Sequence, residues 1–411
     1  RYKRGNLRVH IKDKRITNYN MLYVVALIIF MLSTLFELTQ WNLWSDSFQD
    51  NILKVTKLMR YLSYLLCVIK IIMTSVADRK TIIRCAIIVV MFAVSYLACK
   101  NITLFLYSLL FLAAEGYESD GIIKIALICQ STVLIVNIIL IKTGIVVDSI
   151  WDPDIRPRHF LGFSWVTTSS ILFLFILLEY IYLKKGKINT FEYIIGMGFA
   201  YWLYKMSDAR MTFMVSVLVL TWFWFIIIFV EKINLAEKLK SVFAITPFII
   251  SIVAITFQYI YSPDNTVLYK LNDILTGRLK WGRQGIEEYG LSLFGTKIEW
   301  VGYDADWESG MQYNYVDSSY LQIALEYGLI VLVIILILYA ILIYSSIRNK
   351  HTYLCWIVLI VLAFCVTEPR LVKIAYNPFL LLVVTELEKY ITDINYEREG
   401  YRNEKTEVIN S

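Results

Sequence analysis

The sequence predicts an all-α polytopic membrane protein with about 12 transmembrane helices and one large extracytoplasmic loop between helices 9 and 10. Three observations carry that prediction. Of 411 residues, 58% are hydrophobic and only 18% charged, with a mean hydropathy of +0.59, whereas soluble domains hold about 25% charged residues. The apolar residues fall in long runs, many close to the roughly 20 residues that cross a bilayer. A single large polar excursion, 262–318, interrupts them. This composition excludes a disordered chain, a coiled coil and almost any soluble enzyme.

A basic segment, 1–20, precedes the first apolar run at 21–38. Further helices are read at 57–77, 81–99, 101–115, 122–146, 163–183, 191–206, 211–230 and 241–261, those at 101–115 and 191–206 being short. Three more follow the polar excursion, at 319–346, 352–367 and 371–388, and a charged tail occupies 389–411. The organisation is therefore a cytoplasmic segment 1–20, helices 1–9 over 21–261, the extracytoplasmic loop 262–318, helices 10–12 over 319–388 and a cytoplasmic tail. Lysines and arginines in alternate short loops mark the cytoplasmic side. Lys184-Lys185-Gly186-Lys187, Glu231 to Lys240 and Arg348-Asn349-Lys350 fall on the side of the N-terminus, so both termini are expected to be cytoplasmic. The net charge of +6 then reports topology and implies no nucleic acid.

All six cysteines sit in or beside apolar runs, which implies no disulfide framework. Only His10, His159 and His351 are present, and neither a Walker loop nor a dinucleotide fingerprint occurs. No metal and no cofactor are expected. The polar excursion holds 7 of the 17 glycines and the aromatics Trp281, Tyr289, Trp300, Tyr303 and Trp307. Val267, Leu268, Leu271, Ile274 and Leu275 repeat at helical spacing, as do Ile286 and Tyr289, so short helices are predicted there. Loops held by a rigid scaffold are where function concentrates.

Arg156, Arg158, Arg210, Arg278, Lys280, Arg283 and Arg370 fall on the outer side, against the positive-inside rule. A guanidinium offers a planar fork that fits phosphate oxygens two at a time, so converging arginines suit a diphosphate. The alternative is that they pair with acids of their own loops, such as Asp148, Asp152, Asp154, Glu287 and Glu288. Arg210, in Ser207-Asp208-Ala209-Arg210 between apolar stretches, is a functional candidate by default or else a local partner of Asp208. Asp317 opens the helix after the loop. It is suited both to cap that helix and to take a proton from an attacking hydroxyl. Lys70, Lys124, Glu179 and Lys373 form no readable pattern and receive no role.

Several segments resemble the O-antigen polymerase family, a branch of the O-antigen ligase superfamily. Leu275-Thr276-Gly277-Arg278-Leu279 with Tyr289-Gly290-Leu291-Ser292-Leu293-Phe294-Gly295 is similar to that family's long-loop signature. Asp317-Ser318-Ser319-Tyr320-Leu321-Gln322 with Glu326-Tyr327-Gly328 resembles its next helix start. Arg158-His159-Phe160-Leu161-Gly162-Phe163, Ser207 to Arg210, and the Glu368 and Asn377 pair match further points in order. Ligase relatives carry histidine where Asp317 stands, which favours the polymerase branch.

The resemblance implies a GT-C-type membrane glycosyltransferase, a polysaccharide polymerase of the bacterial plasma membrane. It would join undecaprenyl-diphosphate-linked oligosaccharide repeat units into O-antigen, capsular or exopolysaccharide at the outer face. Asp317, Arg278 and Arg283 would be catalytic. Arg158, Arg210, Lys280, Tyr320 and Glu368 would bind substrate. Partners implied are the lipid-linked oligosaccharide, the bilayer, and a chain-length regulator and flippase. A flippase of the same lipid-linked sugars, or a ligase to another acceptor, is the alternative. The flippase predicts repeated halves and short loops, and no repeat is detected.

Overall fold

The structure is a computed structural model that describes residues 2–40, 46–74, 96–152, 154–302 and 313–390, with Ala86, Val89, Val90 and 92–94, and side chains of the first helix from Tyr19 onward. Tyr303, Trp307, most of the helix expected at 81–99 and the tail beyond 390 lie outside the described residues. The helices in order are α1 (Tyr2–Phe36), α2 (Asp46–Thr74), α3 (Thr103–Ala113), α4 (Ser119–Lys142), α5 (Thr168–Leu183), α6 (Thr190–Ser207) and α7 (Arg210–Lys232), the last with a π turn at Trp222–Ile226. A short α8 (Leu235–Lys238) leads to α9 (Lys240–Tyr259), followed by α10 (Thr266–Ile274), α11 (Arg278–Tyr289), α12 (Ser319–Glu326), α13 (Leu329–Arg348) and α14 (Thr352–Phe364).

Among the described residues, five helices are long and apolar enough to cross a membrane: the Tyr19–Phe36 part of α1, α4, α7, α9 and α13; α3, α5 and α14 are apolar but shorter. Their outward faces are greasy. On α9, Ile245, Ile249, Ile252 and Val253 are 47–65% exposed, more apolar surface than water would leave uncovered. This is a membrane-embedded all-α architecture. Its one sheet among the described residues is a hairpin, β1 (Ile150–Trp151) antiparallel to β2 (Arg158–His159), in a loop where the sequence predicts no strand. Asp148 steadies it, accepting from the Leu161 N–H at 2.9 Å and meeting His159 Nδ1 at 2.7 Å.

Two expected helices are broken, and each break has a physical cause. The helix expected at 319–346 divides into α12 and α13 at Gly328, whose φ of 90° and ψ of 164° lie where only glycine is comfortable. A Cβ there would lie 2.4 Å from the Leu293 carbonyl oxygen. The space is taken by the loop segment Ser292–Thr296, whose carbonyls of Ser292 and Leu293 accept from the N–H groups of Leu329 and Ile330. Gly328→Ala should therefore lower the melting temperature. Backbone strain alone contributes roughly 1–3 kcal/mol, and the clash adds to it; a wild-type melting curve in detergent would refute this.

The helix expected at 371–388 is the second. Residues 371–377 are irregular, a 3₁₀ turn covers Pro378–Leu381, and 382–390 is helical. Pro378 disfavours helix at Asn377, which sits at φ −116°, ψ 81°. Non-helical backbone at membrane depth persists only where protein satisfies it. Gln130 Nε2 donates to the carbonyls of Ala375 and Tyr376 at 3.1 Å each, and Tyr339 Oη and Asn377 Nδ2 donate to the Leu371 carbonyl at 2.7 and 2.8 Å. Among the unassigned charges, Lys70 caps the end of α3 through the carbonyls of Ala113 (2.7 Å) and Glu115 (3.0 Å). Glu179 accepts from Gln130 Nε2 at 2.8 Å, which makes it part of the same support.

Candidate functional site

The α10–α11 corner sets the first residue of the site. Thr276 (φ 54°) and Gly277 (φ 85°) turn the chain so that Arg278 begins α11. Asn272 Oδ1 locks the turn by accepting from the Lys280 N–H at 3.0 Å. Gly282 lets α11 lie against α9, since a Cβ there would collide with the Gln258 side chain at 1.9 Å.

From this position Arg278 reaches two carboxylates that are distant in the chain. Its Nε donates to Asp317 Oδ2 at 3.1 Å and its Nη2 to Glu368 Oε1 at 3.0 Å. The three side chains are 19%, 27% and 9% exposed respectively, so the cluster is largely dry yet open at Asp317. Burial opposes the Arg278 charge, but Glu368 and Asp317 outweigh it and hold the guanidinium above its usual range. Burial also lifts the Asp317 carboxyl, with Arg278 and Arg370 opposing. Burial together with the Asp317 charge pushes Glu368 up to about 7 against Arg278 and Arg370.

Asp317 does not cap α12. The N-cap is Ser318, which makes no side-chain cap bond, and the Asp317 carboxylate is turned to Arg278. Ser319 ties the two acidic segments together: its Oγ donates to the Glu368 carbonyl at 2.6 Å and accepts from the Leu371 N–H at 3.1 Å.

A basic group forms around the end of α6. Asp208, in left-handed conformation at that C-cap, meets Arg156 and, at 3.4 Å, Arg210. Arg158 Nε donates to the Ser207 carbonyl at 2.8 Å, and among the described residues Arg158 has no carboxylate partner within salt-bridge distance. Burial first, then the positive charges of Arg156, Arg210 and Arg278, push the Arg158 guanidinium down to about 10, with Asp208 opposing. Arg158 thus feels Arg278 of the first cluster as well as its own neighbours. Three arginines around one aspartate leave surplus positive charge, a setting for an anion.

The remaining expected site residues are not brought in. Arg283 is spent on Glu287 Oε1 at 2.6 Å and on the Tyr259 carbonyl, the local pairing that was its alternative. Lys280 is exposed, its Nζ 5.1 Å from the centre of the Trp281 ring. Tyr320 is fully buried and donates to the Leu362 carbonyl at 2.8 Å, so it anchors α12 beneath the site instead of lining it. Arg210, 65% exposed, takes up its local pairing with Asp208.

Arg370 was visible as a misplaced positive charge but had no assigned role. Its guanidinium lies 4.4 Å from the centre of the Tyr376 ring, and its buried Nε has no hydrogen-bond partner among the described residues. Its charge lies close enough to Asp317 and Glu368 to act on both, and their charges in turn reach the Tyr315 phenol.

Because Glu368 takes up a proton more readily here than in an unfolded chain, the folded state gains stability at low pH and loses it as pH rises from about 4.5 through about 7. The melting temperature of the wild type should therefore fall more steeply between pH 5 and 8 than that of Glu368→Gln. Parallel slopes would contradict this. No protein-family model, no curated protein and no solved structure matches the chain.

Proposed function

We propose that the protein is a polysaccharide polymerase that joins oligosaccharide repeat units carried on undecaprenyl diphosphate, at the outer face of a bacterial plasma membrane. The observation that carries this reading is the meeting of Arg278, Asp317 and Glu368 on one guanidinium. They come from three separate segments of the chain, and each segment resembles a motif of the O-antigen polymerase family. Arg158, with no carboxylate in salt-bridge distance among the described residues and under the influence of the Arg278 charge, supports a binding surface for a diphosphate.

In this reading Arg278 and Arg158 hold the diphosphate and stabilise the negative charge that develops as it leaves, while Arg210 and Arg156 raise the local potential. Asp317, the more exposed carboxylate, takes the proton from the acceptor hydroxyl as that oxygen attacks the anomeric carbon. Its raised proton affinity suits the task. Arg283 and Tyr320 are left out of the reacting set because their polar atoms are spent elsewhere.

Purified protein in detergent, given a synthetic lipid-linked repeat unit, should yield a ladder of polymer. Product only when a different acceptor is added would make it a ligase. Translocation in vesicles with no new bond would make it a flippase. The orientation is tested separately. A cysteine at Lys297 should react with an impermeant thiol reagent in intact cells and one at Asn234 should not; the reverse would overturn the outer placement of the site.

A further inference from the structure

Arg278 is already occupied before any anion arrives. Asp317 takes its Nε and Glu368 its Nη2. Those two nitrogens form the side edge of the guanidinium fork, which a phosphate would grip with two oxygens. Nη1 donates to no described residue. Glu368 is the more enclosed of the two acids, and its backbone is pinned through Ser319, whose Oγ donates to the Glu368 carbonyl and whose N–H donates to the Cys365 carbonyl at 3.0 Å. Its carboxylate therefore stays where an incoming phosphate would have to displace it or sit beside it.

We propose that Glu368 is an internal counter-ion that competes with the diphosphate for Arg278, holding the site at modest affinity so that the diphosphate freed by the reaction is released. This rests on the reading that Arg278 receives a diphosphate. Asp317 shares the guanidinium but faces the opening, where the acceptor hydroxyl is expected. Glu368 faces protein and has no such task. A neutral side chain of the same shape would keep the hydrogen bond from Arg278 and remove the like-charge repulsion towards phosphate. Arg370, stacked on Tyr376 with its Nε unpartnered among the described residues, adds positive charge that Glu368 now offsets.

The test is binding of inorganic pyrophosphate to the full chain in detergent, at a pH above the value of about 7 through which Glu368 titrates, measured for wild type, Glu368→Gln and Arg278→Ala, with a short polyprenyl diphosphate as a second ligand. Glu368→Gln should bind pyrophosphate about tenfold more tightly, the scale of removing one nearby like charge in a partly buried site. Arg278→Ala should lose binding. Turnover of Glu368→Gln at saturating substrate should fall, because release slows. If Arg278→Ala loses binding but Glu368→Gln binds no more tightly than wild type, the counter-ion role is overturned and the phosphate site stands. If pyrophosphate and the polyprenyl ligand bind equally well to wild type and Arg278→Ala, or bind to neither, the site reading falls and this proposal with it.

Discussion

Arg278→Lys is expected to lower polymer formation by at least about tenfold, on the order of 1.4 kcal/mol of transition-state stabilisation, and Arg278→Ala by more. The guanidinium spans Asp317 and Glu368 from two different nitrogens while Nη1 still points to no described partner. A lysine ammonium is a single point on a flexible stem and cannot hold both carboxylates and a phosphate in one plane. Alanine goes further. It leaves two partly buried carboxylates facing each other, and removing one partner of a buried pair typically costs about 3–5 kcal/mol of stability. Membrane abundance must therefore be measured alongside the product. Arg283→Lys is the internal control. Its ion pair with Glu287 is a local one on the surface of α11, of the kind that contributes about 0–1 kcal/mol. Activity of Arg283→Lys should stay near wild type; a large loss there with none at Arg278 would reverse the assignment.

Asp317→Asn is expected to be nearly inactive while folding normally. Asparagine keeps an oxygen to accept from Arg278 Nε, and no helix cap is lost because Ser318 holds the cap position. It cannot accept a proton as a base. A positioned base typically contributes about 100-fold or more, so Asp317→Asn and Asp317→Ala should both fall by that order. The Asn variant should do so at wild-type abundance. Full activity in the Asn variant would remove Asp317 from the chemistry and leave it as an ion-pair partner of Arg278.

Much of the helical order was legible from hydropathy, because a bilayer forces long apolar runs into helices. Breaks were not. Gly328 reads as one glycine in an apolar run until the Ser292–Thr296 loop segment is seen against it. The irregular 371–377 segment is held by Gln130, Tyr339 and Asn377, two of them far away in the chain, and no local pattern reports such help. The arginines show the same divide. In the sequence, a positive charge in a segment expected on the outer side marks Arg158, Arg278, Arg283 and Arg370 alike. Only tertiary structure separates Arg278, which bridges two remote acids, from Arg283, which pairs four residues along its own helix. Asp317 looked equally good as a cap and as a base. The Arg278 contact, 39 residues away in sequence, decides against the cap.

The central claim is that Arg278 and Arg158 receive a lipid-linked diphosphate beside Asp317. A cryo-electron microscopy structure of the protein with a polyprenyl diphosphate glycan tests it most directly. The account predicts phosphate oxygens within hydrogen-bond distance of the Arg278 and Arg158 guanidinium groups, with the sugar next to the diphosphate facing the Asp317 carboxylate. Phosphate density elsewhere, with Arg278 still spanning Asp317 and Glu368 undisturbed, would contradict it.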